Sequence, residues 1–140
     1  MGVQISTDLK ETIKLLQPTV QSKVILGLIG DLGFGKTTLV SELLSLYGCQ
    51  IANSPTFSLV NRYQLNNGLN VYHIDLYRLK NAEEIDAAGF WDLFSDEEAF
   101  FIIEWVDRID VESLPLNFKK IIVSIEKNLD STRSYFINSL

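Results

Sequence analysis

The sequence predicts an α/β fold in which a mixed parallel and antiparallel sheet is flanked by helices, and three observations lead there. An apolar, β-branched run, Val24-Ile25-Leu26-Gly27-Leu28-Ile29, leads into a glycine-rich turn and then into residues that are apolar at helical spacing. After residue 50, strand-like alternation and turn signals dominate, with few helices between them. Phe100-Phe101-Ile102-Ile103 is a second continuous apolar run, and it delivers Glu104 at its end. Continuous runs suit parallel strands buried on both faces, whereas alternation suits half-covered antiparallel ones. A parallel heart with antiparallel strands added to it follows.

Ser6-Thr7-Asp8 ahead of Leu9, Ile13, Leu15 and Leu16 reads as a capped amphipathic helix that Pro18 closes. The first buried strand, the glycine turn and the following helix occupy about 23–47, with Thr38 to Tyr47 helical and Gly48 as the stop. Residues 56–65 alternate like a strand, Asn66-Asn67-Gly68 is a turn, and Leu69 to Ile74 resumes the alternation, so a β-hairpin is expected. Residues 81–99 read as short helices broken at Gly89. After the strand that ends in Glu104, two further strands are expected at about 119–126 and 134–138, joined by Asn128-Leu129-Asp130-Ser131. With 140 residues and no repeat, linker or low-complexity tract, residues 1–140 are expected to form one domain.

Composition excludes several classes of function. Hydrophobic content of 46% and a mean hydropathy of +0.12 indicate a folded chain. Its apolar runs are too short to span a bilayer, so no membrane association is expected. The start, Met-Gly-Val-Gln-Ile-Ser, lacks the basic-then-apolar pattern of a secretory signal, and one cysteine, Cys49, allows no internal disulfide. A cytoplasmic location is the economical expectation. The net charge of −6 is unevenly spread: between Glu83 and Glu112 there are eleven acidic residues and a single arginine, Arg108. Such a face repels phosphate backbones, which argues against direct nucleic-acid binding there and leaves either a solvated surface or a docking face for a basic protein.

Residues 30–37, Gly-Asp-Leu-Gly-Phe-Gly-Lys-Thr, fit G-x-x-x-x-G-K-[ST], the phosphate-binding loop, in the strand–turn–helix setting that loop requires. Polyphosphate can be surrounded by backbone N–H groups only where few side chains crowd the loop, and Gly30, Gly33 and Gly35 supply that space and permit positive φ. The free N–H groups of the helix start favour the same anion. Asp31, Leu32, Gly33, Phe34, Gly35, Lys36, Thr37 and Thr38 are therefore the expected nucleotide-binding residues, with Lys36 near the outer phosphates and the Thr37 hydroxyl as a Mg²⁺ ligand. The fold expected is that of the P-loop NTPases.

A phosphate loop also needs a carboxylate close to its metal. Glu104 stands at the C-terminal edge of a buried strand, where ligands gather in α/β sheets, and could bind Mg²⁺ directly, act through a water, or orient the attacking water. Asp75, at the end of Val71-Tyr72-His73-Ile74, is a second candidate metal ligand. His73 shares its face by alternation, and a lone histidine in an apolar strand is more often a core residue than a catalyst. In Ser54-Pro55-Thr56-Phe57, Thr56 is either a γ-phosphate-sensing hydroxyl or part of a plain loop leading into a strand.

Four blocks now stand together: Gly30 to Leu39, Ser54 to Tyr63, His73-Ile74-Asp75-Leu76-Tyr77-Arg78-Leu79, and Ile103-Glu104-Trp105. Their combination and order strongly resemble the bacterial TsaE (YjeE) family, over residues 24–108. The resemblance implies a weak ATPase of the tRNA threonylcarbamoyladenosine pathway, using ATP and Mg²⁺. It would work with TsaB and TsaD, which transfer the threonylcarbamoyl group to adenosine 37 of tRNAs reading ANN codons, with tRNA reached only through those partners. It further implies that Lys36 holds phosphates, that Thr37 and Glu104 hold Mg²⁺, and that Asp75 lies near the metal. Thr56 would sit in a switch-like loop, Trp105 beside the nucleotide, and Thr7 and Arg133 against the base. Two departures stand out. Val106-Asp107 replaces the family's usual Pro-Glu ahead of Arg108, and Phe34 replaces a small loop residue.

Other classes use the same loop. A small-molecule kinase usually closes an arginine-rich lid over the phosphates, which the acidic stretch after residue 83 does not supply. A GTPase would carry an Asn-Lys-x-Asp guanine-reading pattern, absent here. A non-catalytic, nucleotide-dependent interaction module is left open by the residues alone.

Overall fold

The computed structural model describes residues 3–51 and 59–140. In chain order the elements are β1 (Val3–Ser6), α1 (Leu9–Leu16), β2 (Val24–Ile29), α2 (Lys36–Ser45), β3 (Val60–Gln64), β4 (Asn70–Asp75), α3 (Ala82–Ala87), β5 (Phe100–Glu104), β6 (Lys119–Lys127) and β7 (Arg133–Ser139). Short 3₁₀ turns at Gln17–Thr19, Trp91–Ser95, Val106–Arg108 and Val111–Ser113 fill the connections.

The strands join one sheet in the order β1-β7-β6-β2-β5-β4-β3. Its four central strands, β6, β2, β5 and β4, run parallel; β7 and β3 pair antiparallel with this block on its two sides, and β1 pairs antiparallel with β7 at the edge. This is the mixed sheet that the apolar runs and hairpin signals predict. Buried strands need both faces covered, and the core accordingly splits into two layers. Leu26, Leu28, Phe100 and Ile102 face α1 and α2, packing on Leu16, Leu39, Leu43 and Leu44. Ile25, Phe101 and Ile103 face the opposite side, where α3 and the 3₁₀ turns supply Ile85, Phe90, Phe94 and Val106.

The element differences have local causes. β1 escapes sequence reading because its four residues hold only two apolar side chains, Val3 and Ile5, and both are exposed. Its pairing with β7, Ile5 opposite Phe136 and Ser6 opposite Tyr135, comes from the partner strand. Of the three cap candidates ahead of α1, Asp8 performs the task, its Oδ2 accepting from the Glu11 N–H at 3.3 Å. The second helix begins at Lys36, earlier than its apolar spacing indicates, because the loop closes directly onto it through Gly35. The hairpin turn is as expected, with Leu65 N–H bonded to the Leu69 carbonyl at 2.9 Å.

The acidic stretch after Glu83 lies mostly in solvent, with two exceptions. Asp96 accepts the Tyr72 hydroxyl at 2.9 Å, and Glu104 is buried. Among the described residues, no helix is long and apolar enough to cross a membrane.

Candidate phosphate-loop site

β2 and β5 are adjacent parallel strands with Leu28 in register with Glu104. The loop that leaves β2 therefore opens beside the carboxylate that ends β5. Within it Gly35 adopts φ 98° and caps α2, a left-handed conformation that any side chain would strain. Gly30 is needed for a different reason than positive φ: a Cβ there would meet the Ile125 carbonyl oxygen at 3.1 Å. The loop thus rests directly on the backbone of β6.

Lys36 opens α2 and is almost fully buried. Its ammonium donates to the Gly30 carbonyl and, at 3.1 Å, to the Asp31 carbonyl, and lies 4.3 Å from the centroid of the Trp105 ring. Burial lowers its pKa from the usual lysine value, and the charges of Glu104, Asp75, Asp31 and Asp107 oppose that shift. Thr37 donates its hydroxyl to Glu104, 3.1 Å from Oε1 and 3.3 Å from Oε2. The β4–β5 register sets Asp75 beside Glu104. Asp75 Oδ1 accepts the Tyr77 N–H at 2.9 Å.

Burial, more than any other cause, raises the Asp75 pKa; the Glu104 charge adds to the rise, and the Tyr77 N–H, His73 and Lys36 oppose it. A carboxyl raised on folding contributes stability that is full below its unfolded pKa and is lost as pH rises through the folded value. Asp75→Asn, which keeps an Oδ1 acceptor for Tyr77, should therefore melt above the wild type at pH 7.5. Thermal melts across pH should show that advantage shrinking as pH falls toward 3.8, the usual carboxyl value. An advantage independent of pH would refute this account.

The turn after Glu104 is sharp. Trp105 adopts φ 60°, a region sparsely populated by residues with a Cβ, and this swings the indole back beside Lys36. Tyr77 packs against the indole with centroids 4.9 Å apart, and the Arg108 guanidinium lies 5.6 Å from the same ring. Where the family usually carries proline, the fully buried Val106 anchors the turn in the core, and Arg108 ties it to the Leu79 carbonyl at 3.1 Å.

A cleft of about 310 Å³ opens over the loop, within the range of small-ligand sites. Of the residues singled out from sequence, it brings together Leu32, Gly33, Gly35, Lys36, Thr37, Thr38, Asp75, Glu104, Trp105 and Arg133. Arg133 reaches across from β7 to donate to the Gly33 carbonyl at 3.1 Å. Asp31 and Phe34 do not line the cleft; the Phe34 ring packs on the core instead of standing over the loop. Thr7 is exposed and outside the cleft, which the neighbouring Leu9 lines. Thr56 lies outside the described residues. Tyr77 and Tyr135 join the lining unforeseen. Tyr77 stands two residues beyond Asp75, where an aspartate that closes an Asx turn brings the next alternate residue to the same edge.

The oxygens at this site suit a hard divalent ion. Among the described residues there is no cluster of three or more His, Cys, Asp or Glu able to cage a metal. Mg²⁺ does not require one, since it keeps several waters and takes one or two protein oxygens beside substrate phosphates. The adjoining Thr37 hydroxyl and Glu104 carboxylate would hold it in that manner.

A glycine loop that leaves a central parallel strand and opens a helix on lysine and threonine defines a P-loop NTPase-like α/β domain. The crystal structure of Bacillus subtilis YdiB has this fold: it superposes with a TM-score of 0.68 over 99% of this chain and 84% of that one, at 24% sequence identity. The family model for the threonylcarbamoyl adenosine biosynthesis protein TsaE matches residues 3–135, and the chain belongs to the TsaE family. Among its relatives, the tRNA threonylcarbamoyladenosine biosynthesis protein TsaE of Haemophilus influenzae is 39% identical over 67% of this chain and 59% of its own length. Its namesake in Rickettsia felis is 38% identical over 71% of this chain and 58% of its own. In both, the matched stretch is less than two thirds of the relative's length.

Proposed function

We propose that the chain binds ATP with Mg²⁺ and hydrolyses it slowly, as the accessory ATPase of threonylcarbamoylation at adenosine 37 of tRNAs reading ANN codons. It would act in the cytoplasm with TsaB and TsaD, which would hold the tRNA. One observation carries the reading: Lys36, Thr37 and Glu104 converge at the mouth of a glycine loop, where consecutive amides and a helix start attract a polyphosphate.

The residues suggest how the work is divided. Loop amides from Gly33 to Thr37 would cradle the phosphates. Lys36 would exchange the carbonyls of Gly30 and Asp31 for phosphate oxygens, a gain because a buried ammonium is better matched by anionic oxygens than by neutral carbonyls. Thr37 and Glu104 would hold Mg²⁺, which when bound neutralises charge developing on the outer phosphates. Asp75, beside Glu104, would be a second ligand to the metal or accept from a water bound to it. Trp105 and Tyr77 would wall the cleft and limit solvent. The acidic surface after Glu83 fits docking to basic partner subunits in place of tRNA.

Release of inorganic phosphate from ATP in the absence of any acceptor tests the reading against a kinase. The expected result is slow release by the chain alone, accelerated when purified TsaB and TsaD are added. Absence of release under both conditions would refute it.

A further inference from the structure

Resting on the reading of Glu104 as a metal-holding carboxylate, we propose that His73 is its positioning residue: the His73 Nε2–H donates to Glu104 Oε2 and fixes the plane in which the carboxylate meets Thr37 and the metal. His73 Nε2 lies 2.5 Å from Glu104 Oε2, and the two side chains are 0% and 3% exposed. The imidazole belongs to β4, in register with Ile102 of the neighbouring β5, and is fully buried between the strand's neighbours. A glutamate has three torsions, and the Thr37 hydroxyl, at 3.1 and 3.3 Å from the two oxygens, does not strongly distinguish one oxygen from the other. The His73 donor does distinguish them, because it meets Oε2.

The proton can be placed by counting partners. Among the described residues, His73 Nδ1 is buried and has no hydrogen-bond partner. A ring proton on Nδ1 would thus be stranded, with the Nε2 lone pair facing a carboxylate. A proton on Nε2 satisfies the carboxylate and leaves unpaired only a lone pair. Hydrogen-bond partners of metal ligands characteristically set ligand orientation, and their loss costs about 10- to 100-fold in metal affinity or activity.

The chain contains a single histidine, so imidazole ¹⁵N spectra of uniformly labelled wild-type protein report on His73 without assignment. The expected spectrum shows Nε2 protonated; a bare Nε2 would overturn the proposal even if no variant folds. The second measurement is Mn²⁺ affinity of the nucleotide-loaded protein, read by electron paramagnetic resonance. His73→Gln places an amide nitrogen near Nε2 and should stay within about threefold of wild type. His73→Asn places it near Nδ1 and should bind Mn²⁺ about tenfold more weakly. Equal loss in both variants, or none in either, would refute the positioning role, because a merely structural histidine would not distinguish them. Glu104→Gln serves as the control. If it weakens Mn²⁺ while His73→Asn does not, this inference alone fails; if it leaves Mn²⁺ affinity unchanged, the underlying reading fails with it.

Discussion

Lys36→Ala is expected to weaken ATP binding on the order of 10²-fold or more while leaving the protein at least as stable as the wild type. The ammonium is a positive charge at the loop, beside the Arg133 guanidinium on the Gly33 carbonyl, and it is already desolvated. Truncating one partner of a buried, charge-assisted contact costs about 3 kcal/mol or more, on the order of 10²-fold in affinity. Stability should move the other way, since burial disfavours the charged form in the folded state and the alanine variant escapes that cost. Isothermal titration with Mg-ATP, paired with a thermal melt, reads both effects. Unchanged affinity would refute the role given to Lys36, and a collapsed melting temperature would show that its bonds to Gly30 and Asp31 matter chiefly to the fold.

Glu104→Gln is expected to separate binding from turnover. The amide keeps the shape of the side chain and an acceptor for His73 and Thr37, so the loop and helix should stay in place. It removes the negative charge at the end proposed to hold the metal. Nucleotide affinity should fall by less than about tenfold, while the rate of phosphate release should fall on the order of 10²- to 10³-fold, about 3 to 4 kcal/mol of barrier. Steady-state kinetics beside equilibrium binding measures the split. Equal losses in both would show that Glu104 is structural.

How much of this was legible beforehand depends on whether the signal was local. The loop, β2 and β5 were read correctly because each is a continuous apolar run or a fixed motif, and the parallel sheet follows from such runs. β1 was not, since Val3 and Ile5 point to solvent and only the edge of β7 makes that segment a strand. Glu104 could be placed beside the mouth of the loop from its position at a strand end. Its bond to His73 could not be foreseen, because alternation tells which face a residue occupies and nothing about a diagonal neighbour on the adjoining strand. The reading of His73 as a core residue was correct about burial and silent about its partner. Gly30 was expected to leave space and to permit positive φ; it does not take positive φ, and the space it leaves is filled by the Ile125 carbonyl of β6, a contact that depends on sheet order. Tyr77 and Arg108 reach Trp105 only because Trp105 takes φ 60°, which neither propensity nor spacing signals.

A crystal structure with Mg²⁺ and a non-hydrolysable ATP analogue tests the central claim most directly. The triphosphate should lie in the loop from Gly33 to Thr37, with Lys36 Nζ transferred from the carbonyls of Gly30 and Asp31 to phosphate oxygens and the metal held between Thr37 and Glu104. A triphosphate bound elsewhere, or bound in the loop with Lys36 still on those carbonyls and Glu104 away from the metal, would contradict it.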